Sequence, residues 1–86
     1  MARLSIFHNP LGGGSSLGLR KTDSGTTEII FDDGVARRLV WRVASPGIAE
    51  HRLSDALRAA IHQTRVLPAL YAELKKRSIA IESVIR

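Results

Sequence analysis

Two corners of the form Asp-x-Gly, Asp23-Ser24-Gly25 and Asp32-Asp33-Gly34, lie nine residues apart between runs of alternating residues. Aspartate is favoured in such corners because its side chain bonds the local backbone, and glycine because it accepts a positive φ. Short turns of this kind join strands that pair antiparallel. The corners therefore predict a three-stranded antiparallel meander, with strands at about residues 17–22, 26–31 and 35–43.

The segment before this meander predicts one more strand and a loop. Alternation over residues 3–7 is typical of a strand. Residues 9–16 contain three consecutive glycines and are expected to form a flexible loop, because glycine loses the most entropy on ordering. The loop lacks the lysine of a phosphate-binding loop and departs from the dinucleotide fingerprint by one position, so we assign no ligand to it.

The second corner also predicts a strand register. A two-residue loop would pair Glu28 with Leu39, whereas a three-residue loop pairs Glu28 with Arg38. The three-residue loop is the better choice, because it places Phe31 opposite Val35 on an apolar face. That face continues along the strand to residue 43 and is expected to meet the helices, while the other face is mixed in polarity.

A helical region follows residues 45–47, where Ser-Pro-Gly should end the sheet. Leu53, Leu57 and Ile61 recur at helical spacing. Pro68 cannot donate a hydrogen bond within a helix, so a kink or a restart is expected there before a second apolar stripe. Residues 78–85 alternate again and predict a final strand. The fold expected is α+β: an antiparallel β-meander packed against a Pro-kinked pair of helices, with a C-terminal strand joining the sheet.

The length of 86 residues indicates a single small domain, residues 1–86. The chain has no cysteine, which removes disulfides, thiolate nucleophiles and cysteine-bound metals from consideration and is consistent with a reducing compartment. The first residues lack the apolar run of a signal peptide, and no stretch is apolar enough to span a membrane. We therefore expect a cytoplasmic protein with no membrane partner.

The charge of the chain is its compositional extreme, with 13 Lys and Arg against 8 Asp and Glu, a net +5. Such a balance favours an acidic partner, either an acidic protein surface, a nucleoprotein complex or nucleic acid itself. Arginine matches phosphate and carboxylate groups in a bidentate fashion. The candidate partner-binding residues lie on the sheet and on one helical stripe; they are Arg20, Arg38, Arg42, Arg58 and Arg65.

Catalytic, cofactor and metal sites are not expected. His51, Asp55 and His62 share the helical stripe with Arg58 and Arg65, but His51 and His62 lie three turns apart, about 16 Å at 1.5 Å per residue. The turn alone accounts for the adjacent Asp32 and Asp33. No Ser, His and Asp set has the context of a hydrolase motif. The chain is therefore expected not to be an enzyme.

Two functional hypotheses remain. The first is a small non-enzymatic binding protein that acts through a basic surface on a macromolecular partner, for example a phage or mobile-element inhibitor of a larger protein or nucleoprotein complex. The second is a nucleic-acid-binding module that contacts phosphates through arginine-rich sheet and helix faces. A homodimer is a further expectation, since a domain this small can complete its sheet with a second copy.

Overall fold

The computed structural model of the chain describes residues 4–45 and 47–84. Five strands form one antiparallel sheet in chain order, and two helices lie between the fourth and fifth strands. The predicted α+β class and the C-terminal strand that joins the sheet are thus confirmed. The elements are β1 (Leu4–Gly12), β2 (Ser15–Lys21), β3 (Thr27–Asp32), β4 (Arg38–Val43), α1 (Glu50–Ile61), α2 (Val66–Lys76) and β5 (Ile81–Ser83).

Three positions of the predicted segments, residue 3 of the first strand, Pro46 of the sheet-ending stretch and residue 85 of the final strand, lie outside the described residues.

One face of the sheet forms the core together with the helices. Leu19, Ile29 and Trp41 are direct cross-strand partners, and each is almost fully buried. The Trp41 ring meets Tyr71 of α2 edge to face, with 5.8 Å between ring centroids. Alternation of side chains along each strand therefore directs this row towards the helices, as the sequence predicts. The buried helical residues that complete the cluster are Leu53, Ala56, Leu57, Ala60, Leu70 and Leu74.

The bounds predicted for the glycine loop, residues 9–16, are wrong. Residues 9–12 continue β1 and residues 15–16 begin β2, so only Gly13 and Gly14 connect the two strands. Gly12, Gly13 and Gly14 all have positive φ, at 91°, 62° and 85°. Glycine allows these angles without a steric penalty, and strand pairing on both sides offsets the entropy lost on ordering.

The predicted three-residue loop at the second corner is also wrong. Glu28 pairs with Arg42 instead of Arg38, and residues 33–37 form the connection. The side chain of Asp33 stabilises this longer loop, because its carboxylate oxygen Oδ1 accepts hydrogen bonds from three successive backbone amides. The donors are Val35 at 2.8 Å, Ala36 at 3.1 Å and Arg37 at 3.0 Å.

The displaced register nevertheless preserves the predicted faces. Arg42 and Arg38 differ by four positions, an even number, so every side chain of β4 stays on its expected side. The first corner forms as predicted, with the Thr22 amide donating to the Thr26 carbonyl oxygen at 2.9 Å. The meander and its two faces were thus predictable, although the pairing partners across β3 and β4 were not.

The helical region consists of two separate helices. The break between them lies at residues 62–65, ahead of Pro68, which is the third residue of α2. The first amides of a helix have no partner within the helix, so proline at this position removes no intrahelical hydrogen bond. The restart is therefore observed, but it comes before the proline.

The two connecting loops at one end of the sheet touch at Gly14 and Gly34. A Cβ atom added to Gly34 would lie 2.5 Å from the Gly14 carbonyl group, closer than atoms in real proteins approach. Gly34 also has a positive φ of 81°. Close contact between two backbones, as well as the turn geometry, therefore requires glycine at residue 34.

We predict that Gly34→Ala destabilises the protein more than Gly25→Ala does. Gly25 has nearly the same φ, 84°, but nothing lies within 4 Å of its added Cβ, so it serves as a matched control for the backbone strain alone. Gly25→Ala should cost about 1–2 kcal/mol, and Gly34→Ala about 1–3 kcal/mol more because of the collision with Gly14. Urea unfolding of both variants measures the difference, and equal losses would contradict the loop contact.

Candidate functional site

The five predicted partner-binding arginines lie on two different layers. Arg20, Arg38 and Arg42 lie on the face of the sheet opposite the helices, which we call the open face. Arg58 belongs to α1 and Arg65 directly precedes α2, so both lie on the helical layer. The structure therefore brings together the three sheet arginines but does not place all five on one surface.

Each arginine of the open face has an acidic neighbour. Glu28 pairs with both Arg20 and Arg42 across the strands, and Arg42 pairs in turn with Glu82 of β5. The row Arg20, Glu28, Arg42 and Glu82, which we call the charge ladder, thus alternates in sign from β2 to β5. Opposite charges placed directly across strands attract, while like charges would repel. The ladder makes this part of the open face nearly neutral.

The two ion pairs of the ladder differ in burial. Arg20 Nε donates to Glu28 Oε1 at 2.8 Å, and the two side chains are only 15% and 11% exposed. Arg42 Nε lies 2.9 Å from Glu82 Oε1, with both side chains about half exposed at 51% and 55%. Water screens the second pair far more than the first. The Arg20–Glu28 pair is therefore the structural end of the ladder, and Arg42–Glu82 the accessible end.

A second charged row crosses the open face closer to the loops. Arg38 Nη2 lies 3.7 Å from Asp32 Oδ2, and the two side chains are 61% and 36% exposed. The other carboxylate oxygen of Asp32 accepts a hydrogen bond from the Gly34 amide at 2.8 Å. The Arg38 guanidinium is thus held loosely and can exchange this neighbour for an acidic group of a partner.

An apolar strip lies between the two charged rows. Ile30 and Val40 are cross-strand partners on the open face, and neither belongs to the core cluster beneath the helices. Val40 is only 5% exposed, so the partly exposed Ile30 is the accessible part of this strip. The open face therefore has an apolar centre bordered by charged side chains.

A groove adjoins this strip where Gly18 replaces a side chain. Gly18 pairs with His8 on one side and with Ile30 on the other. A Cβ at this position would lie 3.2 Å from the Phe7 carbonyl oxygen and 3.8 Å from His8 Cδ2. A cavity of about 300 Å³ adjoins Gly18, and its polar lining includes Arg20 and Arg38. Strand register alone brings these residues together.

A larger depression, of about 570 Å³, lies where β2, β3 and β4 approach the start of α1. Lys21 and Arg42 contribute its positive charge, but both are already paired with carboxylates. Lys21 Nζ lies 3.6 Å from Glu50, and Arg42 is paired with Glu82. The charges of this depression are therefore largely balanced.

Cations without an ion-pair partner gather elsewhere, at one end of the helical pair. Arg52 near the start of α1 donates through Nη2 to the carbonyl oxygen of Arg77 at 3.2 Å, just after α2 ends. Lys75 and Lys76 belong to that same last turn of α2 and are exposed. None of these three forms a salt bridge with the acidic groups that the structure describes. We call Arg52, Lys75 and Lys76 the basic end.

The sequence alone offered no reason to select the basic end as a site. Lys75 and Lys76 lie where cations favour a helix C-terminus, which accounts for their presence without a ligand. Arg52 lies far from them in sequence, and only the antiparallel packing of the two helices brings it close. A local pattern could therefore not reveal this cluster.

The two arginines predicted on the helical layer differ in their surroundings: Arg58 has neighbours on β1 and α1, and Arg65 forms no salt bridge with the described acidic residues. The Arg58 guanidinium lies 5.4 Å from the centre of the Phe7 ring, and it also lies 3.6 Å from Asp55. Arg65 is exposed at the start of α2. Arg58 thus helps to cover the side of the core near β1, and the stacking restricts its freedom to bind a partner.

The described part of the chain contains neither a cluster of metal-binding side chains nor a membrane-spanning helix. No three His, Cys, Asp or Glu side chains among residues 4–45 and 47–84 are arranged to hold a metal ion. His8 lies on the open face, whereas His51 and His62 lie at the beginning of α1 and just past its end. None of the described helices has the length and apolarity needed to cross a membrane.

We predict that Glu28→Ala destabilises the protein more than Glu82→Ala does. Loss of Glu28 leaves the largely buried Arg20 without its carboxylate partner, which should cost about 1–3 kcal/mol. Loss of Glu82 breaks an exposed pair and should cost less than about 1 kcal/mol. Urea unfolding measures both values, and a double-mutant cycle with Arg20→Ala isolates the pair. A larger cost for Glu82→Ala would contradict the burial order of the ladder.

We further predict that the Asp33 carboxyl titrates below its ordinary value of 3.8. Hydrogen bonds from the amides of Val35 and Arg37, and more weakly from Ala36, lower the pKa of Asp33 because they favour the charged form. A lowered pKa stabilises the fold above the unfolded value, and this contribution is lost as the pH falls through the folded value. An NMR titration of the side chain measures the pKa directly, and a value at or above 3.8 would contradict the loop geometry.

Comparisons with protein-family models, with curated proteins and with solved structures find no match to this chain. What the open face and the basic end can bind is therefore inferred from the residues that form these two surfaces.

Proposed function

We propose that this chain is a non-enzymatic binding protein that occupies a surface of a macromolecular partner with the open face of its sheet. The observation that supports the proposal best is the composition of that face: the apolar strip of Ile30 and Val40 lies between two rows of charged side chains. Protein interfaces share this arrangement of an apolar centre and a polar rim, and arginine is enriched in them.

The arrangement of charges on the open face indicates the chemistry of the partner. Arg38 and Arg42 are the most exposed cations of the open face, and their ion pairs, with Asp32 and Glu82, are weakened by solvent. A partner with two acidic groups spaced to meet these arginines would strengthen both contacts by removing water. Glu28 and Glu82 lie next to Arg42 and would repel a surface of uniformly negative charge. A protein surface of mixed charge therefore fits better than a polyanion.

A small inhibitor or adaptor of a larger complex would use such a face without chemistry of its own. The open face lies on strands that pack against the helices in one core cluster, so binding is expected to require little ordering of the backbone. A role as a phage or mobile-element inhibitor is one form of this proposal, and the identity of the partner decides it.

Site-specific photo-crosslinking in the cells that encode the protein tests this proposal. We expect a photoreactive residue at Ile30 or Ser16, both on the open face, to capture one partner, and Arg38→Glu with Arg42→Glu to abolish the capture. The matched control carries the photoreactive residue in place of Ala72, an exposed position of α2. Capture from Ala72 with none from the open face would overturn the proposal, because it would move the interface to the helical layer.

The basic end supports a second candidate function, binding of nucleic acid. Three cations without a described ion-pair partner, Arg52, Lys75 and Lys76, lie close together at the end of the helices, where a phosphate backbone would release their counterions. The sheet arginines contribute less to this function, since each has a carboxylate neighbour. The phosphate contacts are therefore expected on the helical layer.

Fluorescence anisotropy with labelled single-stranded DNA, duplex DNA and RNA tests this second function at low and moderate salt. Binding through the basic end should weaken steeply with salt, and Lys75→Ala with Lys76→Ala should reduce the slope of log K against log salt by about one per lost contact. Arg38→Ala with Arg42→Ala is the control and should leave the slope unchanged. No binding at low salt would eliminate this function.

A further inference from the structure

Strand β5 lies at one edge of the sheet, and no strand of the described chain pairs with its outer side. Its inner side bonds β4 at alternate residues: the Ala44 amide donates to the Ala80 carbonyl, and the Val84 amide donates to the Val40 carbonyl. In an antiparallel ladder every second residue directs its backbone groups to the same side, so those of residues 80, 82 and 84 face β4 and those of the residues that alternate with them face away. The amides and carbonyls of Ile81 and Ser83 therefore point outwards, ready to pair with another strand.

The opposite edge of the sheet is protected. Strand β1 has register shifts between Ser5 and Phe7 and between Pro10 and Gly12. Bulges and proline interrupt the regular row of donors and acceptors, a common protection against edge pairing. Within the described residues β5 has neither device, so the two edges are not equivalent.

A groove of about 420 Å³ lies beside β5 on the helical side. Its apolar lining comes from Tyr71, Leu74, Ile79 and Ile81, and Lys75 contributes to its wall as well. Leu74 and Ile79 are almost fully buried, whereas Tyr71 is 47% exposed. A strand added next to β5 would direct every second side chain towards this groove, because Ile81 faces the same side of the sheet. The groove is therefore suited to an aliphatic side chain.

The charge ladder favours a basic residue on the added strand, between the two side chains that face the groove. Its signs alternate across the sheet from Arg20 to Glu28, Arg42 and Glu82, and Glu82 stands on the outermost strand. The next strand would place one side chain directly opposite Glu82 on the open face, where a cation continues the alternation and an anion is repelled.

We propose that the free edge of β5 binds an extended segment of a partner protein with the pattern apolar, basic, apolar. The basic residue pairs with Glu82, the flanking residues lie on the groove side, and backbone groups pair with Ile81 and Ser83. Strand addition of this kind takes its affinity from main-chain hydrogen bonds and its specificity from alternate side chains. The proposal concerns the sheet edge and does not depend on the open face as the main interface.

A second copy of the chain fits the edge of β5 less well than a strand with a basic residue, if the two β5 strands pair symmetrically along their full length. Antiparallel pairing of Ile81 with Ser83 of a partner copy would set Glu82 opposite Glu82 of that copy, two like charges in direct contact. The ladder would then be interrupted at the centre of the dimer. A foreign strand with a cation at this position avoids the repulsion.

NMR titration of the isotope-labelled protein tests the proposal with the blocked peptide Ser-Thr-Val-Lys-Val-Thr-Ser and its matched control with Glu in place of Lys. We expect the Lys peptide to bind about two- to fivefold tighter than the Glu peptide, and the amides of Ile81 and Ser83 to gain protection from hydrogen exchange. The net charge of the protein, +5, favours the Glu peptide, so general attraction cannot produce the expected order.

The variant Glu82→Lys should reverse that order, because it exchanges the sign at the end of the ladder. Ser83→Pro removes an outward amide and should abolish peptide binding, whereas Ser83→Ala keeps the amide and should retain it. Urea unfolding shows whether Ser83→Pro still folds. If it does not, the binding order in Glu82→Lys decides the outcome. An unchanged order in Glu82→Lys would overturn the proposal, as would peptide-induced shifts at Gly18 and Ile30 instead of β5, or sedimentation showing a dimer that Ser83→Pro dissociates.

Discussion

The burial of Leu19, Ile29 and Trp41 beneath the two helices is the contact on which the rest of the structure depends. These residues are paired across three neighbouring strands and lie within the same core cluster. Side chains alternate along each strand, so directing this row inwards directs its neighbours outwards. A slip of one residue in any of these three strands would bury a charged side chain, Arg20, Glu28 or Arg42, under the helices. The hydrophobic row therefore also determines which residues face the solvent.

The charge ladder is the direct consequence of that row. Arg20, Glu28 and Arg42 each follow or precede one of the three buried residues in sequence, and the same register brings them into line on the open face. Their alternation leaves this part of the open face nearly neutral. The excess positive charge of the protein is consequently found elsewhere, and part of it lies at the basic end. This separation distinguishes the surface suited to protein binding from the one suited to phosphate.

Local patterns predicted the strands, the turns and the faces well, but they did not predict how the loops are built. The glycine loop was expected to span residues 9–16, yet strand pairing on both sides leaves only Gly13 and Gly14 between β1 and β2. The loop after β3 was expected to contain three residues, but Asp33 bonds three amides and extends it. The Asp33 hydrogen bonds are local in sequence, whereas the contact of Gly34 with Gly14 joins two separate loops.

The sequence by itself determined the α+β class, the two faces of the meander and the side of the sheet to which each arginine belongs, because alternation and helical periodicity are local properties. Tertiary structure alone decided that Glu28 and Glu82 neutralise the sheet arginines, that Arg52 joins Lys75 and Lys76, and that β5 ends the sheet beside a groove. These arrangements join residues far apart in the chain. They depend on strand register and helix packing, which residue spacing along the sequence does not encode.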